Sequence, residues 1–149
     1  LYPAATEALR LAALAHHLRR WTIPRDTHPK GRAGYLRWRR ALHDLHAREV
    51  GAILEDVGYD ACFIARVQDI VRKKDLAEDG EVQALEDAIC LVFLESELDP
   101  LRARMEEEKL ASVLRKTWGK MSPLGREAAL ALELSPEARA LVRRAVQDD

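Results

Sequence analysis

Apolar residues recur at helical spacing from one end of the chain to the other. No stretch shows sustained period-two alternation between hairpin turns, so the pattern predicts helices alone. In the first segment, about Ala4 to Arg20, Leu11, Leu14 and Leu18 form one stripe, with Leu9, Ala13 and His16 beside it. Thr22 to Ala33 holds Pro24, Pro29 and Gly31 and reads as an ordered surface loop. A second helix is predicted from about Gly34 to Val57, with Leu42, His46, Val50 and Ile53 sharing a face and Gly58 closing it. Asp60 is placed to cap a third helix running to about Lys74, and Asp75 to Gly80 is a charged turn before a fourth, about Glu81 to Glu97. Inside that fourth helix, Ala88 to Leu94 is apolar all round, as in a helix buried at the centre of a bundle.

Asp99-Pro100, Ser122-Pro123 and Ser135-Pro136 each set an N-cap acceptor before a proline, whose missing N–H is harmless in a first turn. They predict helices at about 100–120, 123–132 and 136–147. The chain shows no internal repeat, no heptad seam and no linker long enough to separate domains. The expected fold is therefore all-α: residues 1–149 as a single compact helical bundle of about six to seven helices.

Composition narrows the class further. With 149 residues, 48% hydrophobic and 33% charged, the chain can bury a sizeable core and is neither collagenous nor disordered. Its longest apolar run, Ala88 to Leu94, is far short of the roughly 20 residues a membrane span needs, so no membrane partner is expected. Cys62 and Cys90 are too few for a disulfide framework, and both sit in apolar settings where Cys acts as a small hydrophobe. A reducing, cytoplasmic location is expected. The chain begins at Leu1 with neither an initiator Met nor a basic-then-apolar leader, so an upstream segment is expected to be missing.

The net charge of −1 hides an asymmetry. Residues 1–50 hold ten Lys and Arg against four acids, together with all five His, whereas residues 51–149 hold fourteen against twenty-one. From Arg19 to Arg40, eight basic residues and a single acid, Asp26, are interleaved with Trp21, Tyr35 and Trp38. Such a stretch suits a small anionic or phosphorylated partner, and Arg, eighteen against six Lys, offers forked donors. Arg20, Arg25, Arg32, Arg39 and Lys73 are the candidate substrate-binding residues. Nucleic acid is a weaker candidate, since the excess is local, the pI is about 6.6 and no recognised binding motif occurs.

Metal-ligand residue types are the other chemical signal. His17 lies at the edge of the first stripe, His46 faces inward with Leu42 and Val50, and Asp87 and Glu86 precede the apolar run of the fourth helix. His17, His46 and Asp87, on three helices, are candidate ligands for one divalent metal, Zn, Mn, Fe or Ni, with Glu86, Glu95 or His16 adding to the set. The competing reading is a metal-free network of His and carboxylates, or an ion pair between Asp87 and one of the many Arg. His28 and His43 read as solvated. Neither a nucleophile elbow nor a phosphate loop is present. Trp118 and Met121 read as a core-anchored helix end.

Several blocks carry a resemblance. Ala15-His16-His17-Leu18-Arg19-Arg20-Trp21, Leu85-Glu86-Asp87-Ala88-Ile89-Cys90-Leu91-Val92-Phe93-Leu94-Glu95 and Arg115-Lys116-Thr117-Trp118 with Lys120-Met121 resemble an uncharacterised bacterial and fungal family classed as a domain of unknown function. The order of elements is also similar, more distantly, to the HD superfamily of helical metal-dependent phosphohydrolases. That likeness implies an HD-like metal site at His17, His46 and Asp87. The first pair lacks the usual metal-bridging Asp, which implies one metal rather than two. A hydrolase of this kind would use the metal to acidify a bound water, Glu86 or Glu95 as general base, and Arg20, Arg25 and Lys73 to neutralise charge on the substrate. A non-catalytic anion-binding or protein-interaction module is the alternative.

Overall fold

The computed structural model describes residues 2–147, and among these residues no strand occurs, in line with the all-α expectation. They group into two compact units, one of Pro3–Leu85 and one of Tyr2 with the chain from Glu86 onward. The boundary falls inside a continuous helix.

The first unit opens with α1 (Glu7–Ala15), where the Thr6 hydroxyl accepts from Leu9 N–H at 3.2 Å. α1 buries Ala8, Leu9, Ala12 and Ala15, and these small side chains let its backbone lie close to α3 (Ala61–Arg72). This corrects the expected stripe: Leu14, about 200° round the helix from Ala12, is 82% exposed. α1 also stops at Ala15, well short of Arg20, and the chain continues through short 3-10 turns at Arg20–Thr22 and Arg25–Thr27. α2 (Arg32–Asp56) buries Trp38, Leu42, Leu45, His46, Val50 and Leu54, and Gly58 follows its end at φ +91°. Ile53 is exposed, against expectation, because Tyr59 N–H closes on Leu54 O at 3.0 Å and α3 returns over the Leu54 side.

Asp60 caps α3 as expected, accepting from Cys62 and Phe63 N–H at 2.9 and 3.0 Å. That position leaves Cys62 in the first turn and exposed, so it is no core residue. The start of α4 (Gly80–Val92) is capped by Asp79, whose carboxylate accepts from Glu81 and Val82 N–H at 2.9 and 3.3 Å. Arg66 of α3 grips both Asp79 and Glu81 with its guanidinium.

The second unit contains the end of α4, a π-helical turn at Phe93–Glu97, α5 (Leu98–Arg102), α6 (Glu107–Trp118), α7 (Pro123–Ala131) and α8 (Pro136–Gln147). Its core gathers Leu94, Leu98, Leu110, Leu114, Trp118 and Leu141, and Met121 joins it, so the expected anchored end of α6 is found. The run from Ala88 to Leu94 is not buried all round, since Val92 is 59% exposed. Ser122 and Ser135 cap α7 and α8, accepting from Gly125 and Ala138 N–H at 3.0 and 3.2 Å. Asp99-Pro100 behaves differently: both residues lie within α5, which breaks before α6, and Asp99 instead accepts from the Ser135 hydroxyl at 3.0 Å. No helix among the described residues is long and apolar enough to cross a membrane.

Candidate functional site

The early stop of α1 creates the feature with the most chemical potential. Leu18 N–H and Arg20 N–H close turns on Ala15 O and His17 O at 2.9 and 3.1 Å, and Arg19 adopts a left-handed conformation at φ +53°. A non-glycine residue there is strained and needs support. Arg19 has it: its guanidinium pairs with Glu49 of α2 at 2.9 Å, and its carbonyl accepts from the Thr22 hydroxyl at 2.9 Å. The turn leaves the Leu18 carbonyl outside any helix. His46, only 1% exposed, takes that carbonyl with Nδ1 at 2.6 Å.

A backbone carbonyl accepts only, so Nδ1 carries the proton and Nε2 of the neutral ring is left with a lone pair. That Nε2 is buried and has no hydrogen-bond partner among the described residues. The His17 ring stands edge-on to His46 with centroids 6.2 Å apart, and His16 tilts against His17 at 4.1 Å. Arg20 lies over the Trp38 ring at 4.8 Å, while Trp38 Nε1 donates to Ile23 O at 2.9 Å and so fixes the ring.

The electrostatics of this cluster have one sign. His17 is exposed, yet desolvation where its ring packs on His16 and His46, with His16, Arg20, His46 and Arg39 adding repulsion, lowers its imidazole to about 4. Burial also lowers His46, helped by Arg20, His16 and Arg39 and opposed by the bond to Leu18 O. Arg20 is lowered by burial and by Arg39. Two neutral imidazoles therefore sit among guanidinium groups. Arg20 makes no hydrogen bond to protein among the described residues, so its forked donors remain available.

The other expected site residues lie elsewhere or are engaged. Arg25 stacks 6.0 Å from Tyr35 and 5.8 Å from Trp38, but its two terminal nitrogens donate to His28 O and Pro29 O at 3.0 and 3.1 Å. It staples the loop. Arg32 is exposed in the first turn of α2, and Lys73 sits past the end of α3 at φ +59°. Arg39 is half-buried, with a guanidinium nitrogen 3.4 Å from His43 Nε2. Glu86 is buried with Lys120 at 3.5 Å, and Glu95 is exposed on the π-helical turn.

Asp87 is fully buried in the second unit, where its carboxylate accepts from Tyr2 OH at 2.7 Å, Ser122 N–H at 2.8 Å and Ser122 OH at 2.5 Å. It thereby holds the first residue of α7's cap, an anion at a helix N-terminus. Among the described residues no group of three or more His, Cys, Asp or Glu side chains is arranged to hold a metal ion. The roles of Leu18 O, Tyr2 and Ser122 were not read from the sequence. Ser122 was legible as a cap, but a backbone carbonyl has no letter and Tyr2 no motif.

A family model described as Domain of unknown function (DUF4202) matches residues 1–142. The chain belongs to that family. The match takes in α1 to α7, most of α8 and the whole His17–His46–Arg20 cluster, so this DUF4202 chain carries the cluster inside the family's own domain. No curated protein and no solved structure matches the chain.

Proposed function

We propose that the first unit binds a small phosphorylated molecule against the turn that follows α1, with Arg20 and Arg39 as its anion-binding residues and His17 and His46 as neutral neighbours. The observation that carries this reading is Arg20, held 4.8 Å over the Trp38 ring with no hydrogen bond to protein among the described residues and with the like charge of Arg39 acting on it. A phosphate relieves the repulsion between Arg20 and Arg39, and Arg20 offers it two parallel donors while stacked on Trp38.

The binding reading is favoured over a metal-dependent hydrolase because Asp87 and Glu86 are each held by polar partners of their own. Calorimetry with an alkyl phosphomonoester tests it. Wild type is expected to bind, and Arg20→Ala and Arg39→Ala to weaken binding by about tenfold each, the loss of one charge-assisted contact. Unchanged affinity in both variants sinks the assignment. Elemental analysis belongs beside it: about one metal ion per chain, lost in His17→Ala, would return a metal-dependent reading with His17 as a ligand.

A further inference from the structure

His46 says more about the ligand than its charge. The ring is fixed from one side, since Nδ1 donates to Leu18 O at 2.6 Å, and Nε2 is therefore directed away from that carbonyl. His17 stands edge-on at 6.2 Å and makes no hydrogen bond to it. Nε2 is an acceptor that needs a donor, and a buried acceptor without one is a standing penalty. The Arg20 and Arg39 side chains that act on it are donors suited to phosphate oxygens. A phosphate dianion, however, brings acceptors only. It satisfies the two guanidinium groups and leaves Nε2 as it was.

We infer that the ligand carries a hydroxyl close to its phosphate, as a sugar or polyol phosphate does, and that His46 Nε2 accepts a hydrogen bond from that hydroxyl. This rests on the phosphate-binding reading and adds the second half of the ligand. Burial, with Arg20, His16 and Arg39 adding to it, favours the neutral imidazole and so keeps its lone pair available. A ligand that lacks the donor leaves this lone pair unpaired, whereas one that carries it removes the penalty and binds more tightly.

Glycerol phosphate and propyl phosphate form the test pair, equal in charge and nearly equal in size. The wild-type protein is expected to bind glycerol phosphate at least about tenfold more tightly. His46→Asn, whose amide can still donate to Leu18 O, is expected to abolish that preference. Equal or reversed affinities in the wild type overturn the inference and leave the phosphate site standing. Binding of neither compound overturns the phosphate site itself. If His46→Asn does not fold, the wild-type nitrogen resonance of His46 Nε2 decides the matter. A shift with glycerol phosphate and none with propyl phosphate supports the hydroxyl contact, and the same response to both refutes it.

Discussion

Asp87 presses so closely on α7 that a Cβ added to Gly125 would lie 2.5 Å from its carboxyl carbon. In a helix, alanine is ordinarily better than glycine by about 1 kcal/mol. Gly125→Ala is expected to reverse that sign and destabilise the chain by about 1–3 kcal/mol, because the carboxylate is held by Tyr2 and Ser122 and cannot swing clear without breaking those bonds. Urea denaturation of the two proteins measures it, and a stabilised variant would mean that Asp87 moves freely. Residue identity thus reflects a neighbour distant in sequence. The same holds at His46. Its inward placement is legible from its four-residue spacing with Leu42 and Val50, but the carbonyl it holds is not.

Elements were legible where their signal is local. Ser122 and Ser135 each accept from the N–H three residues ahead, so four letters contain the whole interaction. Ser135→Ala is expected to lower stability by about 1 kcal/mol, read as a lowered thermal midpoint, and loss of the Asp99 contact adds to it. An unchanged midpoint would show that α8 is held by its packing alone. Asp99-Pro100 carries the same kind of signal, yet α5 begins two residues before the expected start, at Leu98. Leu98 is completely buried, and the core around it outweighs the local cap. The end of α1 fails for a similar reason. Its sequence continues as a helix, but Arg19 is pulled into a left-handed turn by Glu49, a partner on another helix. The candidate site owes its shape to that turn, which explains why its residues were legible singly and its geometry was not.

At the scale of the whole molecule, acidification is expected to lower stability across two pH windows. His17 titrates at about 4 in the folded chain against about 6.5 when unfolded, so the unfolded form takes up the proton first. Stability therefore falls as pH drops from about 6.5 to about 4, and His46, lowered in the same direction, adds to the fall. Asp79 works in the other window. The hydrogen bond from Arg66, with those from Val82 and Glu81 N–H, holds its carboxyl well below the usual range. Its contribution is complete above the unfolded value of about 4 and is lost as pH falls below it. Urea midpoints measured across pH are expected to decline more gently above pH about 4 in His17→Gln, and below it in Arg66→Ala. Slopes identical to wild type in both variants would refute the assignment.

The two-unit organisation has no signature in the sequence, because the division lies between Leu85 and Glu86 inside α4 rather than in a linker. Tyr2 belongs to the unit whose other residues begin 84 positions later, and it reaches Asp87 across that interval. During synthesis, then, the earliest of these residues to leave the ribosome must wait for Asp87, and the Asp87–Ser122 clasp must wait for α7's cap. When α3 has just emerged from the tunnel, every residue of the His17–His46–Arg20 cluster is outside it, while Asp87 is still inside and Tyr2 lacks its acceptor.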